Sequence, residues 1–173
     1  MKNTLTLGGI GPKLALMNLP YILLSLAIMV RDPEFLNLEY LNTPLAKTAG
    51  FVWLAIGVIF WIASAWVFLH GFKTGKLITR GPFAWCRNPI YASMILFVIP
   101  SLGILFHSGI ILSIALVLYL GFKISIHGEV ILLRRTFGEE YERYEQSVNE
   151  LVPFPPAFKK KPNHHSNLIN GDS

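Results

Sequence analysis

Polar and apolar positions separate in this chain into long blocks rather than a fine alternation. Three stretches carry no charged residue: Leu14 to Val30 with 17 residues, Thr48 to Phe72 with 25, and Asn88 to Phe122 with 35. A helix crossing a bilayer needs about 20 mainly apolar residues, so the second block is one span. As one helix the third would be roughly 50 Å long at ~1.5 Å per residue, well beyond a hydrocarbon core of about 30 Å. It must fold back, and His107-Ser108-Gly109 is the best place for the turn. The pattern therefore predicts an all-α integral membrane bundle of about four transmembrane helices, with spans near 14–30, 48–72, 90–106 and 109–126. The first span is short and contains Pro20.

Finer punctuation refines the ends. Pro89 suits the first turn of the third span, where a missing N–H costs nothing, and Asn88 is placed as its N-cap. Pro100 is expected to kink that span. From His127 onward the sequence turns charged but keeps helical apolar spacing, with Val130, Leu133 and Phe137, then Tyr141, Tyr144 and Val148. The fourth helix should therefore run on past the membrane into interfacial helices, with a break at Gly138. Arg31 to Lys47, with two prolines, reads as a loop on the opposite interface. Trp53, Trp66 and Phe68 read as interfacial anchors. Residues 1–155 form one helical domain, and the polar tail 156–173, including His164-His165, is expected to be disordered.

Composition agrees with this picture. The 173 residues are 53% hydrophobic and 14% charged, against about 25% charged in ordinary soluble domains. The first apolar block lacks a small-residue cleavage site and is not read as a removable signal. Cys86 is the one cysteine, so no internal disulfide forms, and no metal-ligand cluster is evident. With the N-terminus inside, twelve Lys and Arg fall in inner segments and only Arg31 and Lys47 in outer ones. Both termini are accordingly placed in the cytoplasm, in a cell inner membrane or an endoplasmic-reticulum-type membrane. The basic loops would face anionic lipid headgroups, and no soluble basic face suited to nucleic acid is present.

This topology brings two polar clusters to one side of the membrane, Arg80 to Tyr91 and His127 to Tyr144. Glu129 comes two residues after the apolar run, where a charge is costly unless it is paired or faces a cavity. Glu129 and Arg135 lie about 120° apart around an ideal helix, so they would line different walls of a pocket rather than pair. Bland roles are also available: headgroup contacts for Arg80 and Arg87, a surface pair for Glu139 and Arg143, packing for Tyr141 and Tyr144. Spacing alone leaves the function open.

The arrangement resembles the isoprenylcysteine carboxyl methyltransferase and phospholipid methyltransferase group of integral membrane enzymes. Gly81-Pro82-Phe83, Arg87-Asn88-Pro89-Ile90-Tyr91, Gly128-Glu129-Val130-Ile131-Leu132, Arg135 and Phe137-Gly138-Glu139-Glu140-Tyr141-Glu142-Arg143-Tyr144 follow the order of that family's motifs, with Pro153 and Pro155 closing. Asn88 stands where the family has His, and Gly128 where it has a first Glu. The resemblance, which covers roughly Thr79 to Pro155, implies S-adenosylmethionine as cofactor and a lipophilic or small methyl acceptor reached from the bilayer. That acceptor would be an isoprenylcysteine-like carboxylate, a phospholipid amine or a thiol. Carried over by position, Arg87, Asn88, Pro89, Tyr91 and Glu129 would hold the cofactor, together with Tyr141 and Tyr144. Arg135 and Glu129 would face the acceptor. Two other readings stand beside this one: an NADPH-dependent membrane reductase of the sterol-reductase type, and a non-catalytic helical protein that binds lipid or a partner.

Overall fold

A computed structural model describes residues 11–72 and 74–154. The expectations for the tail 156–173, its His164-His165 pair and the closing Pro155 lie outside those residues. Five helices carry the fold: α1 (Gly11–Arg31), α2 (Pro44–Phe72), α3 (Pro89–Leu105), α4 (Gly109–Phe137) and the short α5 (Glu139–Ser147). α1, α2 and α4 are long and apolar enough to cross a membrane, and α3 is a shorter apolar helix. At ~1.5 Å per residue, α4 is roughly 43 Å long, so its last turns extend beyond a ~30 Å core. Leu23, Leu24, Ile59, Ile62 and Ile124 are more than half exposed. Such side chains are at home against lipid, and the molecule is an integral membrane protein.

α3 and α4 form the central hairpin, with α2 packed on α3 and α1 on α4. The turn falls at the residues the sequence singled out. His107 adopts a left-handed conformation (φ 51°), and Ser108 caps α4 by accepting a hydrogen bond at Oγ from the Ile111 N–H at 3.4 Å. Ser108 N–H closes the turn onto the Gly103 carbonyl at 2.9 Å. A Cβ on Gly103 would meet Leu112 Cδ2 at 2.5 Å, so only glycine lets the two arms approach this closely.

α2 shows why a nearly featureless apolar helix still has a definite inner face. Its buried residues are Gly50, Gly57, Ser64 and Gly71, all seven apart. Two turns of helix separate successive members, so they line one stripe, against which bulky neighbours fit. A Cβ on Gly57 would lie 2.5 Å from Phe97 Cβ, and one on Gly50 would lie 2.9 Å from Leu105 Cδ2.

Pro100 stands just after a π-helical stretch, Ser93–Val98, within α3. Proline removes the N–H that would otherwise serve the carbonyl four residues earlier, on Leu96. Trp53 of α2 donates its indole N–H to that carbonyl at 2.9 Å and stacks on Phe97 at 5.1 Å. Its polar atom is thus spent on a neighbouring helix, a use the anchor reading did not foresee. On the other flank, Asn18 of α1 donates to Leu14 O at 2.7 Å, and Gly121 of α4 leaves the space in which that amide sits. Tyr21 and Ser113 share a hydroxyl hydrogen bond at 2.7 Å across the same pair.

Two interhelical ends are tied differently. At one, Leu38 N–H donates to His107 O at 2.7 Å and Gly109 N–H to Leu36 O at 2.9 Å, so the 32–43 loop is fastened to the hairpin turn. At the other, α4 ends at Gly138 (φ 53°, ψ −130°), the expected break, and α5 turns back across the mouth of the bundle. The chain after α5 runs beside the segment leading into α3. Arg87 N–H donates to Asn149 O at 2.8 Å and Asn88 N–H to Glu150 O at 3.1 Å, while Glu150 pairs with Lys123 of α4.

Candidate functional site

The sequence at the α5 end is a glycine-broken, charge-rich one, and this is what leaves room there. Gly75 and Gly81 both take positive φ (64° and 62°), so the segment between α2 and α3 loops rather than extending either helix. Pro82 starts a 3-10 turn, Gly81–Ala84, and Pro89 starts α3. Between this loop, the last turns of α2, the lower half of α4 and α5 lies a cavity of about 540 Å³. That is within the usual range for small-molecule sites, roughly 300–1,000 Å³.

Its walls are mainly apolar and aromatic, with Phe68, Phe72 and Phe83 on one side and Leu132, Leu133 and Phe137 on another. Phe68 and Phe83 stack at 6.5 Å. Tyr144 closes a further side, its hydroxyl donating to the Phe83 carbonyl at 2.7 Å and so pinning α5 to the loop. The charged groups on the wall are Arg87, Glu129, Lys13 and Lys76. Lys13 and Lys76 make no ion pair among the described residues. Ser125 Oγ and Arg87 Nε are buried at the wall with no hydrogen-bond partner among the described residues. Buried polar atoms in that condition are available to a ligand.

Arg87 is held from behind. Its Nη1 donates to Glu145 Oε1 at 2.6 Å and to the Tyr141 hydroxyl at 3.3 Å. Glu145 also accepts from Arg134 Nη2 at 2.7 Å and Nε at 3.0 Å. Burial works against ionisation of Glu145, but the hydrogen bonds and charges of the two arginines outweigh it and hold the carboxyl below its ordinary range. Burial pushes the Tyr144 phenol well above its usual range, and neighbouring Cys86 adds to this, so it stays a neutral donor. The Cys86 thiol is itself fully buried and pushed up to about 12 by that burial. It belongs to the same buried cluster as Ala92 and Leu151.

Of the residues singled out in the sequence, Arg87, Glu129 and Tyr144 reach the cavity wall, from three different segments. Tyr141 is buried directly behind it, against Tyr144 at 6.2 Å. Pro89 is buried at the start of α3, and Tyr91 packs its ring at a 45° tilt to Phe122, centroids 5.5 Å apart, within the helical core. Asn88 occupies the N-cap position but its side chain does not cap. Its Nδ2 donates instead to Glu150 O at 3.0 Å, because the returning C-terminal segment offers a carbonyl there. Arg135 is exposed on α4, away from the cavity wall. Phe68, read as a headgroup anchor, belongs to the cavity wall. The signal for it was present, since it follows Ser64 by one turn on the inner face of α2. Glu145 carries no motif signal, although it shares a face of α5 with Tyr141 by the 4-residue spacing of a helix. Lys13 had no signal near the motifs; only the fold carries it there.

Comparison with known proteins bears on what such a cavity serves. Over 86 residues the chain is 34% identical to a protein of Oryza sativa subsp. indica named "Probable protein-S-isoprenylcysteine O-methyltransferase". It matches the protein of the same name in Oryza sativa subsp. japonica to the same extent. The matched stretch is 50% of this chain and 45% of each rice protein. The chain is similar to isoprenylcysteine O-methyltransferases. A "Protein-S-isoprenylcysteine O-methyltransferase" of Tribolium castaneum extends the similarity to an animal, with 32% identity over 83 residues, 48% of this chain and 30% of that protein. The chain thus spans less than half the length of the curated relatives it matches. No protein-family model matches it. No solved structure matches it.

Proposed function

We propose that the protein is a membrane methyltransferase that uses S-adenosylmethionine and methylates a lipophilic or small acceptor at the α5 end of the bundle. The observation that carries this reading is the convergence of Arg87, Glu129 and Tyr144, from the two motif clusters, on one aromatic-walled cavity. Similarity to proteins named O-methyltransferases supports the reaction class.

The wall fits the cofactor by the chemistry of its groups. S-adenosylmethionine carries an ammonium, a carboxylate, a flat base and a sulfonium. A carboxylate at Glu129 suits the cationic groups, the Arg87 guanidinium suits the carboxylate, and Phe68, Phe72 and Phe83 offer faces for the base. When bound, the cofactor supplies an electrophilic methyl group on sulfur. The protein's main task in such a displacement is to align the reactants and exclude water, an amine or thiol acceptor also losing a proton, and apolar walls around a few fixed polar groups serve the alignment. Tyr144 keeps its proton and holds α5 over the cavity through Phe83. The acceptor's apolar part would lie along α2 and α4 at the lipid side, and Lys13 and Lys76, which make no ion pair among the described residues, would meet an anionic end. Arg135, outside the wall, would reach an acceptor only beyond the cavity rim. The basic end of the bundle, and with it both termini, is assigned to the cytoplasmic side.

Calorimetry on the full chain in detergent tests the reading. S-adenosylhomocysteine should bind the folded protein with one-site stoichiometry, and Glu129→Ala should lose that binding while still melting cooperatively. Absence of binding by folded wild-type protein would refute the assignment.

A further inference from the structure

We infer that Glu145 is the positioning residue that sets Arg87 in the cavity wall. This rests on the reading of that cavity as the cofactor site. Glu145 is one of four charged or phenolic groups, Arg87, Arg134, Tyr141 and Glu145, drawn together from three segments of the chain. It is the only carboxylate among the four, and each of its oxygens is committed to a different arginine: Oε1 to Arg87, Oε2 to Arg134. The two arginines differ in surroundings. The Arg87 side chain is 12% exposed and lines the cavity, whereas that of Arg134 is 53% exposed and does not.

An arginine has many rotamers, and a guanidinium left without an acceptor at this depth would turn toward water. The Glu145 contact removes that freedom by occupying Nη1. It leaves Nε, buried at the wall, with no partner among the described residues. Tyr141, at 3.3 Å, adds a weaker second restraint on the same nitrogen. Arg134 fixes Glu145 in turn through two N–H groups that share Oε2, leaving Oε1 to Arg87. The chain of support therefore runs from Arg134 on α4, through Glu145 on α5, to Arg87 ahead of α3. It also links ligand binding to the seating of α5: a ligand that engages Arg87 should favour the state in which α5 is docked.

The test uses full-length protein in detergent with the variants Glu145→Ala, Glu145→Gln and Arg134→Ala, and two readouts. The first is the rate at which phenylglyoxal modifies Arg87, followed by peptide mass spectrometry, which needs no ligand. The second is the affinity for S-adenosylhomocysteine. Glu145→Ala should speed Arg87 modification and weaken binding about tenfold or more, the scale of one lost charge-assisted hydrogen bond. Glu145→Gln, which keeps an acceptor without the charge and covers the case that the alanine variant does not fold, should fall between. Arg134→Ala should produce the smaller loss, because the Arg87–Glu145 contact survives it. Unchanged Arg87 reactivity in both Glu145 variants would overturn the inference, as would equal losses from Arg134→Ala and Glu145→Ala. If wild-type protein does not bind S-adenosylhomocysteine, the cavity assignment fails and the ligand-directed role of Glu145 fails with it. Faster Arg87 modification in the variants would then report a purely structural restraint.

Discussion

Two glycine-to-alanine substitutions in this chain should act in opposite directions, and the structure says why. Gly57 lies on the inner stripe of α2, where a Cβ would sit 2.5 Å from Phe97 Cβ and 3.3 Å from the Val98 backbone nitrogen. Neither atom is the free end of a flexible side chain, so α2 and α3 must part by several tenths of an ångström. Overpacking of that kind costs about 1–3 kcal/mol, and α2 has few other buried residues with which to absorb it. Gly128 also lies inside a long helix, but a Cβ there meets nothing within 4 Å, because the position faces the cavity. It lies near the end of the ~20 residues of α4 that a membrane can hold, where the helix propensities measured in water begin to apply. Alanine should therefore gain roughly 0.8–1 kcal/mol from the lower backbone entropy of the unfolded chain. For a chain of this size that is a rise of about 2–4 °C in melting temperature, against a fall of the same size or more for Gly57→Ala. Thermal denaturation in one detergent, followed by circular dichroism, measures both. A lower melting temperature for Gly128→Ala would mean that the space beside Gly128 is filled, and the cavity would have to be redrawn. A neutral Gly57→Ala would break the account of how α2 is seated.

Other expectations follow from single contacts. Cys86, buried and with its thiol pushed up to about 12, should resist maleimide at pH 8 in folded protein and react once the protein is unfolded; rapid labelling would contradict the packing. Glu145 is held below its ordinary carboxylate range, so its contribution to stability is complete above the unfolded-state value of ~4.3 and is lost as pH falls through the lower folded-state value. Glu145→Gln should therefore flatten the acid limb of the stability profile and leave its shape above about pH 5 unchanged. Gly138→Ala places an L side chain at φ 53° and ψ −130°, a region open essentially to glycine, and should destabilise the docking of α5 by about 1–3 kcal/mol. Limited proteolysis after residue 138 would report it, and unchanged protection would count against the strained turn.

Much of this architecture was legible because a bilayer simplifies the problem. Long uncharged blocks have one solution, and the 35-residue block had to turn where His107-Ser108-Gly109 permits it. The break at Gly138 and the continuation of α4 beyond the apolar block were readable from glycine and from helical spacing. What the pattern could not show is which side chain serves which neighbour. Asn88 was placed correctly at the start of α3 but given a capping role. Whether its amide serves its own helix or Glu150, 62 residues on, depends on a return path that local sequence does not encode. Trp53 was read from its residue type, yet a carbonyl freed by Pro100 on another helix decides where its N–H goes. The site was half legible for the same reason. Motif order brought out Arg87, Glu129 and Tyr144, whereas Lys13, Phe68 and Lys76 arrive from segments outside those motifs, and Glu145 is one of five acidic and basic residues of one short helix.

We propose above that the aromatic cavity under α5 receives the methyl donor. Ultraviolet cross-linking of methyl-labelled S-adenosylmethionine to the full chain, followed by peptide mapping, locates the donor. Label should appear on peptides that carry Phe68–Phe72, Phe83–Arg87 or Glu129–Tyr144, and excess S-adenosylhomocysteine should suppress it. Label confined to the other end of the bundle, near the 32–43 loop and the His107 turn, or label that the competitor does not reduce, would contradict the account.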